Sequence, residues 1–239
     1  SAPTLRLYAW QPACLSLGLA QPFEEADIQT LAKNGWDIVR RPTGGRAILH
    51  IDELTYAVIA PETEPRVAGG VLKSYLRLST ALLEALRLIG LNPQANEKDS
   101  NAISDKPNPV CFEVPSNYEI TVNGRKLIGS AQARRKEGVL QHGALPLHGD
   151  LTRIIQALRF EDNQTAEKAR TRLLAHATTV ERELGTVPSF TEVKDAFKEA
   201  FQRSLNLDLQ PGELSETIRR RADALMNEKY AHPSWTERI

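Results

Sequence analysis

The chain has 239 residues, 41% hydrophobic and 25% charged, the proportions of an ordinary soluble globular protein with room for one large domain. Lys+Arg and Asp+Glu stand at 30 each, so the formal charge is zero and no global field draws in nucleic acid or an anionic membrane. The longest apolar-leaning run, Ala81 to Leu91, is too short to cross a bilayer and holds Glu84 and Arg87.

Leu5 to Trp10 alternates apolar and polar positions and predicts a strand, with a second from Cys14 to Leu19. Glu24 to Lys33 predicts a short helix with acidic residues in its first turn and Asn34-Gly35 at its end. Trp36 to Arg41 returns as a strand. Pro42-Thr43-Gly44-Gly45 interrupts it, and Ala47 to Ile59, rich in β-branched and aromatic residues, continues in extended form.

Val71 to Leu91 sets Leu72, Leu76, Leu83 and Leu86 at helical spacing, with Gly90 available as a cap. Residues 92–109 are polar and proline-flanked and are expected to form a long mobile loop. Tyr118 to Val122 and Lys126 to Ile128 flank Asn123-Gly124, a strong hairpin signal, and Val139 to Leu147 predicts one more strand. From Leu151 the pattern turns helical. Ser189-Phe190-Thr191-Glu192 fits a capping box before Val193, Phe197, Ala200 and Phe201. Gly212 to Tyr230 reads as a last amphipathic helix and His232 to Trp235 as a terminal tail. Strands, a helix, strands and then several helices suggest α+β or mixed α/β architecture.

Two cysteines, Cys14 and Cys111, make neither a disulfide framework nor a metal-ligand spacing, and SAPTLRLYAW lacks the pattern of a signal peptide. A cytoplasmic protein without a metal is the expectation. In RRPTGGRAILH, glycines between two strands let backbone approach a ligand, and Arg41 and Arg46 would add charge toward a phosphate; a plain turn with solvated arginines fits equally well. A free cysteine is more often a small buried hydrophobe, which suits Cys14, and Lys126 would by default be a solvated turn lysine. If the fold brings Lys126 near Cys111, however, the cation would favour the thiolate and could hold the negative charge developing on an acyl carbonyl. His142 and His50 could relay a proton or sit buried against backbone.

RRPTGGRAILHIDELTYAV, followed by CFEVPSNYEITVNGRKLIGSAQARRKEGVLQHGALPL, resembles the lipoate/biotin protein ligase and octanoyltransferase superfamily. Within it the nearest resemblance is to the cysteine-dependent octanoyltransferases of lipoyl-cofactor synthesis. The likeness runs from about Thr4 to about Asp150, and KYAHPSWTERI resembles the family's ending. It implies an α/β (α+β) fold: a mixed β-sheet flanked by helices, akin to class II aminoacyl-tRNA synthetase and biotin ligase cores. Residues 1–160 would form the catalytic core and 161–239 a helical part of the same domain.

By the same resemblance, Cys111 is the acyl-accepting nucleophile and Lys126 the lysine that lowers its pKa. Thr43, Gly44, Gly45, Arg46 and Ala47, with Arg41 and His50, line an acyl tunnel; Gly129, Ser130, Gln132, His142 and Gly143 form its opposite wall. The implied donor is octanoyl-acyl carrier protein. The acceptor is an apo lipoyl domain, such as glycine cleavage H protein or a dehydrogenase E2. No cofactor is implied. ATP-dependent lipoate ligases share the arginine–glycine loop and the lysine but generally lack a cysteine where Cys111 stands. Family members usually carry a helical segment ahead of the TLRLYAW-like strand at which this sequence begins, and without it apolar sheet surface is expected to lie open.

Overall fold

The first expected strand runs as β1 (Thr4–Tyr8) in the computed structural model, which describes residues 2–97 and 118–239. β2 (Cys14–Leu17) is buried at all four positions. Helix α1 (Ile28–Asn34) starts later than the sequence suggests: a 3-10 turn covers Phe23–Glu25, and Asp27 caps the α-helix by accepting from the Thr30 N–H. Gly35 (φ 65°) ends it in the left-handed conformation that a glycine adopts without strain. β3 (Asp37–Arg40) then lies parallel to β2.

The extended run expected from Ala47 to Ile59 is two strands, not one. β4 (Ile48–His50) pairs with β2, whereas β5 (Glu53–Ala60) belongs to another sheet. Asp52, at φ 52°, turns the corner. A non-glycine residue there is uncommon; its carboxylate accepts from Arg153 Nη2 at 2.6 Å, and its carbonyl from the Leu147 N–H at 2.9 Å.

α2 (Val71–Leu88) starts where expected but ends short of Leu91, and Gly90 (φ 92°) follows it, with the Leu91 N–H returning to the Leu86 carbonyl. Its buried face is rotated from the expected stripe. Tyr75, Leu78, Leu82 and Leu86 point inward, while Leu72 and Leu76 are over 40% exposed. The loop expectation also fails at Gln94–Glu97, which forms β6 and pairs with β7 (Tyr118–Val122). Residues 98–109 lie outside the described residues.

Asn123 (φ 50°) and Gly124 (φ 75°) make the hairpin turn, joining β7 to the eleven-residue β8 (Arg125–Arg135). β9 (Gly138–Pro146) returns alongside it. The main sheet is antiparallel, ordered β1-β5-β9-β8-β7-β6; the small sheet, β3-β2-β4, is mixed.

The helices divide between two cores. α3 (Arg153–Gln156) and α4 (Asn163–His176) pack with α1 on the small sheet, through Leu15, Leu17, Leu31, Ile155 and Leu173. α5 (Val180–Leu184) contributes Val180 to the main core. α6 (Phe190–Leu205) lays Val193, Phe197, Ala200 and Phe201 against α2 and Tyr56, and its Ser189–Glu192 capping box is formed in both directions. Each such Phe contributes about 1.5–3 kcal/mol relative to exposure.

The last amphipathic helix is shorter than expected. α7 (Glu216–Leu225) passes into a π turn at Met226–Tyr230 and buries none of its residues. The terminal tail folds into α8 (Pro233–Thr236), which docks on β3. Arg40 explains the docking: its Nε donates to the Thr236 carbonyl, and its own carbonyl accepts from Trp235 Nε1. Among the described residues no helix is long and apolar enough to cross a membrane.

Candidate active site

The small and main sheets meet along a cleft, and the glycine loop after β3 closes over it. Arg41 builds that loop. Its guanidinium donates to the carbonyls of Ser16 (2.7 Å), Gly44 (2.9 Å) and Arg46 (2.7 Å), so the side chain holds backbone rather than standing ready for a phosphate. Arg46 likewise leans toward Glu25, at 3.7 Å. Gly45 takes φ 92°, and a Cβ on Gly18 would lie 1.8 Å from its carbonyl oxygen. Gly18 is thus as necessary to the loop as the glycine pair, although nothing in its local sequence marks it.

The resulting cavity has a volume of about 660 Å³. It is lined by Arg41, Gly44, Gly45, Arg46 and His50 on one side and by Lys126, Gly129, Ser130, Gln132, His142 and Gly143 on the other, with Leu19 to Gln21 at one edge. Most of the residues expected to form two walls therefore do face one space. A Cβ on Gly44 would meet nothing within 4 Å, whereas one on Gly143 would strike the Gly129 carbonyl and Tyr56. Glycine is there to leave room at the first position and to allow close packing at the second.

Two expected residues behave differently. Thr43 is buried and does not line the cavity, but its Oγ1 lies 2.7 Å from His142 Nε2 and ties the glycine loop to β9. Ala47 is wholly buried in the small-sheet core, because the chain has already re-entered a strand layer there. Cys111 lies outside the described residues.

Lys126 is not a solvated turn lysine. The Asn123-Gly124 turn sets Thr121 opposite Lys126 and so puts Glu119, two residues back, on the same face. The Lys126 Nζ lies 3.0 Å from Glu119 Oε1, with 3% and 5% of the two side chains exposed. An ammonium group is thereby held inside the cavity wall, where a low dielectric strengthens its field. Glu119 was missed because only the hairpin register, carried across the turn, reveals it.

His142 is a poor base. Burial, then Arg41 and His50, lower its pKa to about 3, so the ring is neutral. His50 sits otherwise: its Nδ1 lies 2.7 Å from Glu53 Oε1, which also accepts from Thr55 Oγ1 at 2.5 Å. The Trp10 ring stacks on His50, 4.4 Å between centroids and 9° from parallel. Deeper in the wall, Tyr56 OH is 2.6 Å from Ser130 Oγ and accepts from Gln141 Nε2. Burial pushes Tyr56 up to about 12, so it stays a phenol. Cys14 is also inert, its thiol pushed up to about 12 by burial and then by Asp37.

Known proteins resemble this chain along most of its length. The profile described as the lipoyl protein ligase A/B catalytic domain matches residues 1–202. The chain belongs to that family.

Family relatives named Octanoyltransferase LipM include one from Kyrpidia tusciae, 38% identical over 240 residues, spanning 99% of this chain and 87% of the relative. Another, from Carboxydothermus hydrogenoformans, is also 38% identical, over 100% and 88%. Among solved structures, the protein Ta0514 of T. acidophilum with bound lipoic acid superposes with a TM-score of 0.79 at 25% identity, covering 99% of this chain and 86% of that one. A lipoate-protein ligase A bound with ATP gives 0.78 at 25%, covering 98% and 85%. The fold implied by the sequence resemblance is the family's fold.

Proposed function

We propose that the chain is an octanoyltransferase of lipoyl-cofactor synthesis. It takes the octanoyl group from the thioester of acyl carrier protein onto the Cys111 thiolate and passes it to a lysine of an apo lipoyl domain, such as glycine cleavage H protein or a dehydrogenase E2. The single observation that carries this reading is the Lys126 ammonium, buried in the wall of a cavity roomy enough for a medium acyl chain. Relatives named octanoyltransferase, 38% identical along the whole chain, support it.

In this reading Lys126 has two tasks. It favours the thiolate of Cys111, and it stabilises the oxyanion as each tetrahedral adduct forms. The glycine loop and the Gly129–Gln132 strand seat the chain of the acyl group. A thioester carries enough free energy to form an amide, so the transfer proceeds without nucleotide. Residues 161–239 act as the helical part of the same domain as 1–160; α4 packing in the small-sheet core and α6 in the main core supports that division.

Intact mass after incubation with octanoyl-acyl carrier protein should show one octanoyl adduct, absent from Cys111→Ser. Transfer by Cys111→Ser at the wild-type rate would rule out the covalent step. The ATP-bound ligase among the structural relatives gives a second reading, acyl-adenylate formation from free lipoate. Release of pyrophosphate would identify it. Octanoyl transfer from another lipoyl domain, assayed beside the carrier-protein donor, separates an amidotransferase from the proposed enzyme.

A further inference from the structure

The amide-forming half of an acyl transfer needs somewhere for a proton to go. The acceptor's amine forms an N–C bond to the thioester carbonyl, and the nitrogen of that adduct carries a proton it must lose before the C–S bond breaks. Lys126 is already engaged with Glu119, 3.0 Å away. His142 is held neutral at about 3, and its Nε2 is engaged with Thr43. That leaves His50 among the described groups lining the cavity.

The surroundings of His50 are built to present one nitrogen. It ends β4 and Glu53 opens β5; the left-handed corner at Asp52 brings the two together across strands of different sheets. Glu53, its side chain 3% exposed, receives two hydrogen bonds on Oε1, from Thr55 Oγ1 and His50 Nδ1. A carboxylate can only accept, so Nδ1 carries the hydrogen and a neutral ring keeps its lone pair at Nε2. Trp10 covers one face of the ring and is itself fixed by Nε1 donating to Thr55 Oγ1 at 2.9 Å. No hydrogen bond to Nε2 forms among the described residues, and His50 lines the same cavity as Lys126.

Resting on the acyl-transfer reading above, we propose that His50 is the general base of the amide-forming half-reaction and that Glu53 is its positioning residue. The amine nitrogen bonds to the acyl carbon and its extra proton passes to His50 Nε2. The carbonyl re-forms, the C–S bond breaks, and the sulfur leaves as thiolate. The imidazolium then gives its proton to solvent, and the amide product is neutral. Glu53 stabilises the transient imidazolium and prevents the tautomer in which Nε2 would carry the hydrogen.

The two half-reactions can be timed separately. Wild type, His50→Ala and Glu53→Gln are each charged with octanoyl-acyl carrier protein, freed of donor, and mixed with an apo lipoyl domain, with both steps followed by intact mass. General-base catalysis is typically worth about 10²–10⁴-fold. Relative to charging, deacylation by amine should therefore fall about 100-fold or more in His50→Ala and about tenfold in Glu53→Gln. Free imidazole, able to stack on Trp10 in the vacated slot, should restore His50→Ala deacylation in proportion to its concentration and leave Glu53→Gln unchanged. A variant that is merely misfolded would slow both steps and ignore imidazole; that result overturns the assignment, as does amide formation by His50→Ala at the wild-type rate. Failure of wild type itself to take up an acyl group would refute the acyl-transfer reading, and this inference with it, and so is distinct from an acylated enzyme indifferent to His50.

Discussion

Glu119 and Lys126 form a buried ion pair across the β7–β8 hairpin, 3.0 Å apart with neither side chain more than 5% exposed. It fixes the lysine side chain in the cavity wall.

Removing one partner strands the other. Glu119→Ala or Lys126→Met alone should each cost about 3–5 kcal/mol in unfolding free energy. The double variant Glu119→Ala/Lys126→Met should cost less than the sum by about 2 kcal/mol or more, as measured by urea denaturation. Strict additivity would mean that the two side chains do not act as a pair.

Two glycines of the loop region should answer differently to one methyl group. Gly18→Ala drives a Cβ to 1.8 Å from the Gly45 carbonyl. Only backbone movement relieves that contact, so octanoyl transfer should fall about 100-fold. Gly44→Ala meets nothing within 4 Å, and its melting temperature should stay near wild type while the added methyl narrows the cavity. Thermal melts beside kcat/KM for both variants check the contrast.

Stability should depend on pH through His142. An unfolded histidine titrates near 6.5, whereas the folded one, chiefly through burial, titrates at about 3. As pH falls below the unfolded value, the unfolded chain binds a proton that the folded chain refuses. Stability contributed by this residue is full above about 6.5 and declines on the way down to about 3, by roughly 1.4 kcal/mol per pH unit. The difference in urea stability between wild type and His142→Gln should therefore move in favour of the variant between pH 7 and pH 4.5.

The two cysteines should be chemically unlike. With Cys14 pushed up to about 12, its thiol stays protonated at neutral pH and is shielded in β2. Native Cys111→Ser should give no thiol reaction with an aromatic disulfide reagent at pH 8, and should give one after denaturation.

What could be read in the sequence was local. Asn123-Gly124 fixes a two-residue turn by its own backbone preferences, Ser189 and Glu192 close a capping box within four residues, and Gly35 and Gly90 stop helices where they stand. The motifs around Arg41–His50 and Lys126–Gly143 were recognisable as one family's, and most of the site residues expected within them do share a cavity. The misreadings were of a different kind. Leu72 and Leu76 keep helical spacing yet face outward, because the sheet and α6 select the other side of α2. Asp52 turns a chain that composition alone would run straight, because Arg153 and Leu147 hold it there.

By itself, then, the order of residues determined most of the elements, the family and most of the candidate groups, since turns, caps and motifs act over a few neighbours. Packing decided which of those groups have partners. Glu119 meets Lys126 through hairpin register, Glu53 meets His50 across a corner between sheets, and Gly18 meets Gly45 only once two loops close on each other. Electrostatic and steric contacts depend on distance in space, and the third dimension alone supplies it.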